Sequence, residues 1–482
     1  MNLFLAAAAE SSGFVAGVEK VNGAINGFIW GPIMCAVFVL VGIIMTFRTR
    51  WFQVSKLATW WKNTIAAVFT DKKVRTTDEK KSITQFQALS TALAATVGTG
   101  NIAGVATAIV SGGPGAVFWM WISAFFGMMT KFSEIALSMK YRYKNEKGEW
   151  QGGPMVFIEK GLGKNFKWLA VLFAIFATFA SFGIGSAVQA NSTAGALKQA
   201  FGFNPVIVGI VLAVITAVVI IGGIKRIGKV TEILVPFMAI LYIIGAIILI
   251  VMNANNLGSA FGSIFSGAFR FKAVGGGVLG FTIQQAMRYG VARGVFSNEA
   301  GLGSSSIAHA ASDTKEPIKQ AMWGVFEVFA DTIVICTLTA LSVLCTGVHQ
   351  AGLVDEAGKA LSGASLTSAA FSSGFGQVGS IFLAVAMCLF AFSTMVGWSY
   401  YGERTYEYLF GSSTTIIYKV VFLCTIILGP ATQLNLVWDI ADTLNGLMAI
   451  PNLIGVVALS GTVAALTKDY LKRRRETGAI LE

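Results

Sequence analysis

Hydrophobic residues in this chain come in long blocks, separated by short polar stretches. Apolar runs fall at about 27–47, 84–110, 115–139, 168–198, 205–223, 231–252, 273–308, 319–347, 376–400, 415–430 and 436–467. A transmembrane helix needs about 20 apolar residues, so the pattern predicts an all-α integral membrane protein with about eleven spans. The second run contains Ala94-Ala95-Thr96-Val97-Gly98-Thr99-Gly100-Asn101, with two glycines and three small polar residues at bilayer depth. Glycine costs about 1 kcal/mol against alanine inside a helix. A backbone group released in hydrocarbon must also find a new partner. Such a stretch is tolerable only where it lines a cavity, and a small zwitterion with a cation would satisfy it. That is the pattern of a broken-helix secondary transporter.

Loop charge predicts the orientation. Nine basic residues lie between Arg48 and Lys81, and Lys140, Arg142, Lys144, Lys147, Lys160, Lys164 and Lys167 follow the third run. Lys225, Arg226 and Lys229 follow the fifth, and the chain ends near Lys472-Arg473-Arg474-Arg475. The intervening loops are poor in basic residues, with Arg270 and Lys272 fitting least well. Under the positive-inside rule the N-terminus is outside and the C-terminus cytoplasmic. With the first span set aside, two consecutive five-helix units must have opposite topology, which permits a 5+5 inverted repeat. Each unit opens with a glycine-interrupted segment, Val97 to Gly104 and Gly290 to Gly303, followed by a helix with an intramembrane acid, Glu134 or Asp331. Paired interruptions of this kind point to a midplane site. The expected organisation is residues 1–83 for the first helix and basic loop, 84–252 and 253–467 for the two repeats, and 468–482 for a basic cytoplasmic tail.

Composition agrees. Only 12% of the 482 residues are charged and mean hydropathy is +0.69, against about 25% charged in soluble proteins. The net charge of +12 therefore reads as loop charge facing membrane lipids, with no nucleic-acid partner. Cys35, Cys336, Cys345, Cys388 and Cys424 fall inside apolar runs and read as buried free thiols. The first ten residues are short for a signal peptide and are read as retained. The Arg48–Lys81 loop, with Trp51, Trp60 and Trp61 among its lysines, suits an amphipathic helix on the inner leaflet.

Four stretches resemble the alanine/glycine:cation symporters, also called sodium:alanine symporters. They are Thr99-Gly100-Asn101-Ile102-Ala103-Gly104-Val105-Ala106-Thr107-Ala108, Gly112-Gly113-Pro114-Gly115-Ala116-Val117-Phe118-Trp119-Met120-Trp121, Ser297-Asn298-Glu299-Ala300-Gly301-Leu302-Gly303 and Trp398-Ser399-Tyr400-Tyr401-Gly402-Glu403. The resemblance runs from about residue 25 to 467. It implies a LeuT-like fold with an extra N-terminal helix in the cell inner (plasma) membrane. It also implies uptake of alanine or glycine driven by Na⁺, the coupling ion, with no cofactor.

On this reading the substrate carboxylate meets backbone N–H groups of Thr99, Gly100 and Asn101, where an outer half-helix begins and its dipole is favourable. Close helix packing is the competing explanation for the glycines. Na⁺ would be held by the carbonyls of Ala94 and Val97 and by the hydroxyls of Ser393 and Thr394, which in a LeuT-like fold face the break. Alternatively the two hydroxyls only bond back to their own helix. The pocket candidates are Phe281 and Thr282 before the second break, Gln284 and Gln285 at it, Gln189 in the fourth span, and Trp398. Gln189 and Asn191 could instead make interhelical hydrogen bonds, and Trp398 could be interfacial. Among the buried charges, Lys131 and Glu134 are expected to neutralise each other. Arg288 and Arg293 are expected to find Asp331, Glu299 or Glu327, and His309 and His349 to sit in loops. An intramembrane enzyme is disfavoured because no HExxH, GxSxG or GxGD constellation stands at a plausible depth. A passive channel fits poorly with two unequal halves and two interrupted helices. Proton coupling, or another small neutral substrate such as glutamine, stays open.

Overall fold

In the computed structural model of the protein, residues 2–269, 283–354, 358, 360–431 and 435–477 are described. Nearly all of them are helical, with one two-stranded antiparallel hairpin, Tyr143–Lys144 paired with Trp150–Gln151. Among these residues seven helices are long and apolar enough to cross a membrane, or eight if one bent pair counts as a span. The eight cover the first, second, fourth, sixth and eighth to eleventh apolar runs. The third run is the 27-residue helix Gly115–Tyr141, and the fifth is the 16-residue helix Pro205–Ile220. The seventh run's beginning, with Phe281 and Thr282, lies outside the described residues.

The bent pair is the glycine-interrupted second run. Gln85–Thr96 opens with a capping box, in which the Thr84 hydroxyl accepts from Gln87 N (3.1 Å) and the Gln87 side chain accepts from Thr84 N (3.2 Å). The helix stops at Val97, whose φ and ψ are −80° and 88°. The chain then resumes at Gly100–Gly112, turned by 50°. The first turns of this outer arm, Gly100–Gly104, are π-helical. Two further π-helical stretches occur at Gly183–Ala187 in the fourth span and Phe329–Cys336 in the eighth. Such wide turns free backbone groups and often mark functional positions.

The second interruption falls inside the expected Gly290–Gly303 segment, but only at its end and not at Gln284 and Gln285. Ile283–Asn298 is an unbroken helix with Gln284 and Gln285 in its first turn, and the break runs from Glu299 to the short inner helix Ser305–His309. Gly290 and Gly294 do not break the helix because they are crossing points with the third span. A Cβ built on Gly290 would lie 2.2 Å from the Ala116 carbonyl oxygen, and one on Gly294 would lie 2.6 Å from Ser123 Oγ. The break itself is made by positive φ at Glu299 (56°), Gly301 (99°) and Gly303 (82°).

The basic loops converge on one end of the bundle. There Glu79 pairs with Lys144 at 3.4 Å and its carbonyl accepts from Lys225 at 2.8 Å. Arg404 bridges Glu149 (2.9 Å) and Glu407 (2.8 Å), and Arg473 pairs with Glu316 at 2.8 Å. The basic loop after the first span forms three short helices rather than one amphipathic helix, Phe52–Ser55, Leu57–Asn63 and Ile65–Thr70. Of the five free cysteines, Cys35, Cys336 and Cys345 are buried as expected, whereas Cys388 is half-buried and Cys424 exposed on a helix face.

Candidate functional site at the first broken helix

The break at Val97–Thr99 changes who bonds to whom. In a continuous helix Gly98 N would donate to the Ala94 carbonyl. Here it donates to the side-chain oxygen of Asn101 at 2.9 Å. The Ala94 carbonyl is thereby deprived of its helical donor, at the negative end of the inner arm's dipole. At the start of the outer arm Asn101 N donates to the Gly98 carbonyl at 3.2 Å, while the first N–H groups of a helix have no intrahelical acceptor. Opposite charges can therefore be met within one turn of chain.

The long helix Gln377–Phe410 presses on this turn. A Cβ on Gly98 would lie 2.4 Å from Thr394 Oγ1, and one on Gly397 would lie 2.8 Å from Ala95 N. Thr394 and the release point of the Ala94 carbonyl thus share one face of the inner arm. The hydroxyls of Ser393 and Thr394 donate to the Phe390 carbonyl at 2.8 and 2.9 Å. This is the back-bonding geometry of an ordinary buried Ser or Thr. It spends the hydroxyl proton and leaves oxygen lone pairs, the donor type a hard cation takes.

Of the substrate candidates outside the break, Gln189 reaches the start of the outer arm. Thr99 donates to Gln189 Oε1 at 3.1 Å, and Gln189 Nε2 donates to the Ile184 carbonyl across the π-helical turn of the fourth span at 3.0 Å. Gly100 faces the Phe296 ring, 3.3 Å from where its Cβ would stand. Trp398 is 2% exposed and packs on Gly185, so it is a core residue and not an interfacial one. Asn191 takes the interhelical alternative, donating to the Gly429 carbonyl at 2.9 Å. Gln285 is exposed, well before the break, and Phe281 is not among the described residues.

Asp331, whose role the sequence left open, joins the three unwound elements. Its carboxylate accepts from Asn101 Nδ2 (2.6 Å), Ser297 Oγ (2.9 Å) and Thr332 Oγ1 (2.7 Å). Each donor is neutral, and no ion pair reaches Asp331 among the described residues. An acid in the middle of an apolar run was the sequence signal, but its partners come from distant segments.

The other buried charges pair differently from the expectation. Lys131 pairs with Glu327 at 3.0 Å and donates to the Asn298 carbonyl at 2.7 Å. Glu134 instead accepts from Gly301 N at 2.9 Å and from Asn452 Nδ2 at 2.6 Å. Both residues serve the second break, because a positive-φ turn in hydrocarbon exposes groups that must be answered. Arg288 donates to the Trp30 carbonyl at 3.1 Å, and Arg293 lies over the Phe296 ring. His309 ends the inner arm of the second broken helix and is fully buried, 3.2 Å from Glu327.

A sequence comparison matches the Sodium:alanine symporter family over residues 15–480. The Sodium/alanine symporter AgcS of Methanococcus maripaludis is 48% identical over 461 residues, 95% of this chain and 98% of that protein. The Probable sodium/glutamine symporter GlnT of Bacillus subtilis is 39% identical over 460 residues, 95% of this chain and 92% of that protein. The crystal structure of MhsT in complex with L-phenylalanine aligns with a TM-score of 0.53 at 13% identity, covering 81% of this chain and 99% of that one. That likeness concerns the fold, which is LeuT-like and all-α.

Proposed function

The chain belongs to the sodium:alanine symporter family, a family of transporters and not of enzymes, and on that premise we propose that it imports a small neutral amino acid, alanine first, together with Na⁺. The coupling ion is held by the Ala94 and Val97 carbonyls and the Ser393 and Thr394 hydroxyls. The amino acid sits against Thr99, Gly100 and Asn101, with its carboxylate on the Thr99 and Gly100 N–H groups and Gln189 and Trp398 around it. Gln285, exposed and far along its helix from the break, is a weaker candidate and can serve only as an outer contact. The protein works in the plasma membrane, N-terminus outside, and moves its cargo by alternating access around this midplane site.

The observation that carries the reading is the transfer of Gly98 N from the Ala94 carbonyl to the Asn101 side chain. It takes the helical donor from the Ala94 carbonyl next to the N-terminal end of the outer arm, which suits a cation beside a carboxylate. A small substrate is favoured because Phe296 closes on the turn, 3.3 Å from where a Gly100 Cβ would stand, tighter than an ordinary contact. The relative named as a glutamine symporter keeps glutamine as the substrate alternative. A second reading, proton coupling, draws on Asp331, a buried carboxylate with neutral donors only that can take a proton or balance a cation.

The test is uptake of labelled alanine into liposomes containing only this protein, in Na⁺ against choline buffer, with glycine, D-alanine and glutamine as competitors. Na⁺-dependent uptake with exchange against internal alanine is the expected result. Uptake that follows a pH gradient and ignores Na⁺ would transfer the coupling role to a proton at Asp331. Flux without exchange would mean a channel.

A further inference from the structure

At the basic end of the bundle, a cavity of about 370 Å³ opens between the end of the first span and the C-terminal helix Ser460–Thr477. Arg48, Arg50, Lys468, Lys472 and Arg475 line it, with Glu476 the one acid among the lining residues. Glu476 is taken by Lys472 at 3.8 Å. Among the described residues no ion pair reaches Arg48, Arg50, Lys468 or Arg475. All four are exposed, so water and salt screen their repulsion, but together they give the hollow a positive potential that attracts an anion.

The cavity is built on fixed elements. The C-terminal helix is docked and not a free tail, since Val463 and Tyr470 are fully buried and Thr467 nearly so. On the other wall Arg50 and Trp51 both take left-handed backbone angles, φ 57° and 56°. Trp51 N is tied back to the Thr46 carbonyl at 2.8 Å. Beside this turn the Trp51 ring stands edge-on to Phe47 at 5.4 Å, and the two are 40% and 62% exposed. Exposed aromatics of this kind mark the depth of lipid headgroups. Neither ring lines the hollow itself; each is the chain neighbour of a lining arginine, Phe47 of Arg48 and Trp51 of Arg50.

We propose that this cavity binds the phosphate ester of an anionic phospholipid of the inner leaflet. Arginine forks match phosphate oxygens, and lysines add point charge. The exposed Phe47 and Trp51 rings next along the chain give acyl chains a surface that soluble phosphate cannot use. The site is remote from the first break and does not rest on the substrate assignment.

The experiment uses full-length protein purified from phosphatidylcholine bilayers carrying a minor fraction of phosphatidylglycerol, with retained lipid counted by native mass spectrometry. Wild type is expected to retain phosphatidylglycerol selectively, and excess inorganic phosphate should leave it bound. Neutralising Arg48→Gln, Arg50→Gln, Lys468→Gln and Arg475→Gln should lower retention about fivefold for each charge removed, while Arg48→Lys with Arg50→Lys should retain most of it. Release by inorganic phosphate would overturn the lipid as the ligand. Equal retention by wild type and the combined variant would overturn the site, and the single variants Arg48→Gln and Lys468→Gln carry the same readout if the combined one does not fold.

Discussion

At Gly98 the chain has room for a hydrogen and nothing larger, because Thr394 Oγ1 already occupies the space a Cβ would need. This contact gives a way to separate sterics from ion binding. Thr394→Ala should raise the apparent KM for Na⁺ far more than that for alanine, measured as uptake at varied Na⁺. Gly98→Ala should abolish uptake, since the added methyl displaces a β-branched side chain already bonded to the Phe390 carbonyl. The double variant regains room, so folding and alanine binding should return while Na⁺ affinity stays low. Full recovery of Na⁺ affinity in the double variant would show that Thr394 only fills space. The residue types at this turn were legible in the sequence, because Gly, Thr and Asn are costly inside an apolar run and their cost demands a use. That Asn101 bonds to Asp331 at 2.6 Å was not legible, since the two come from separate spans.

The two broken helices behave differently as elements. At the second break the released groups are answered by protein, the Asn298 carbonyl by Lys131 and Gly301 by Glu134 and Asn452. At the first, the Ala94 carbonyl loses its donor to a side chain. The first is therefore the better place for cargo, and the second the stiffer partner. Lys131 and Glu327 form a fully buried ion pair. Removing one partner of such a pair costs about 3–5 kcal/mol, whereas replacing both with apolar groups costs far less. Lys131→Met should therefore lower the thermal unfolding midpoint of the purified protein strongly, and Lys131→Met with Glu327→Met should recover only part of it, since the Asn298 carbonyl and His309 still lose a partner each. An unshifted midpoint in the single variant would remove this pair as a support of the break. Glycine count misled the sequence reading here, because Gly290 and Gly294 serve close approach to the third span and only Gly301 and Gly303 serve the turn.

Across the whole molecule, the basic end is stitched shut. Ile83 N donates to the Ala311 carbonyl at 3.1 Å and Asp313 N to the Ile83 carbonyl at 2.9 Å, joining the entrance of the first broken helix to the exit of the second. Arg142 clamps the same strand by donating to the carbonyls of Ala310 (2.7 Å), Ser312 and Thr314 (both 2.5 Å). The alternating access proposed above requires these bonds to part when the site opens toward the basic end. Arg142→Gln removes most of the clamp and should shift the population toward the inward-open state. Faster amide exchange over 310–314, with weaker Na⁺ protection of those amides, is the measurement. Unchanged exchange would mean that the seal lies elsewhere, for instance in the Arg404–Glu149–Glu407 cluster.

Sequence alone determined the environment, the approximate course of the spans and the position of the first break. Each follows from local cost: apolar blocks need lipid, lysines avoid it, and glycine with polar neighbours cannot sustain a helix there. Tertiary structure decided which glycine bends and which one touches, which carboxylate answers which cation, and that His309 is buried beside Glu327 instead of lying in a loop. Those choices depend on atoms from different helices, in most cases well over a hundred residues apart, brought within hydrogen-bonding range only when the helices close around one another.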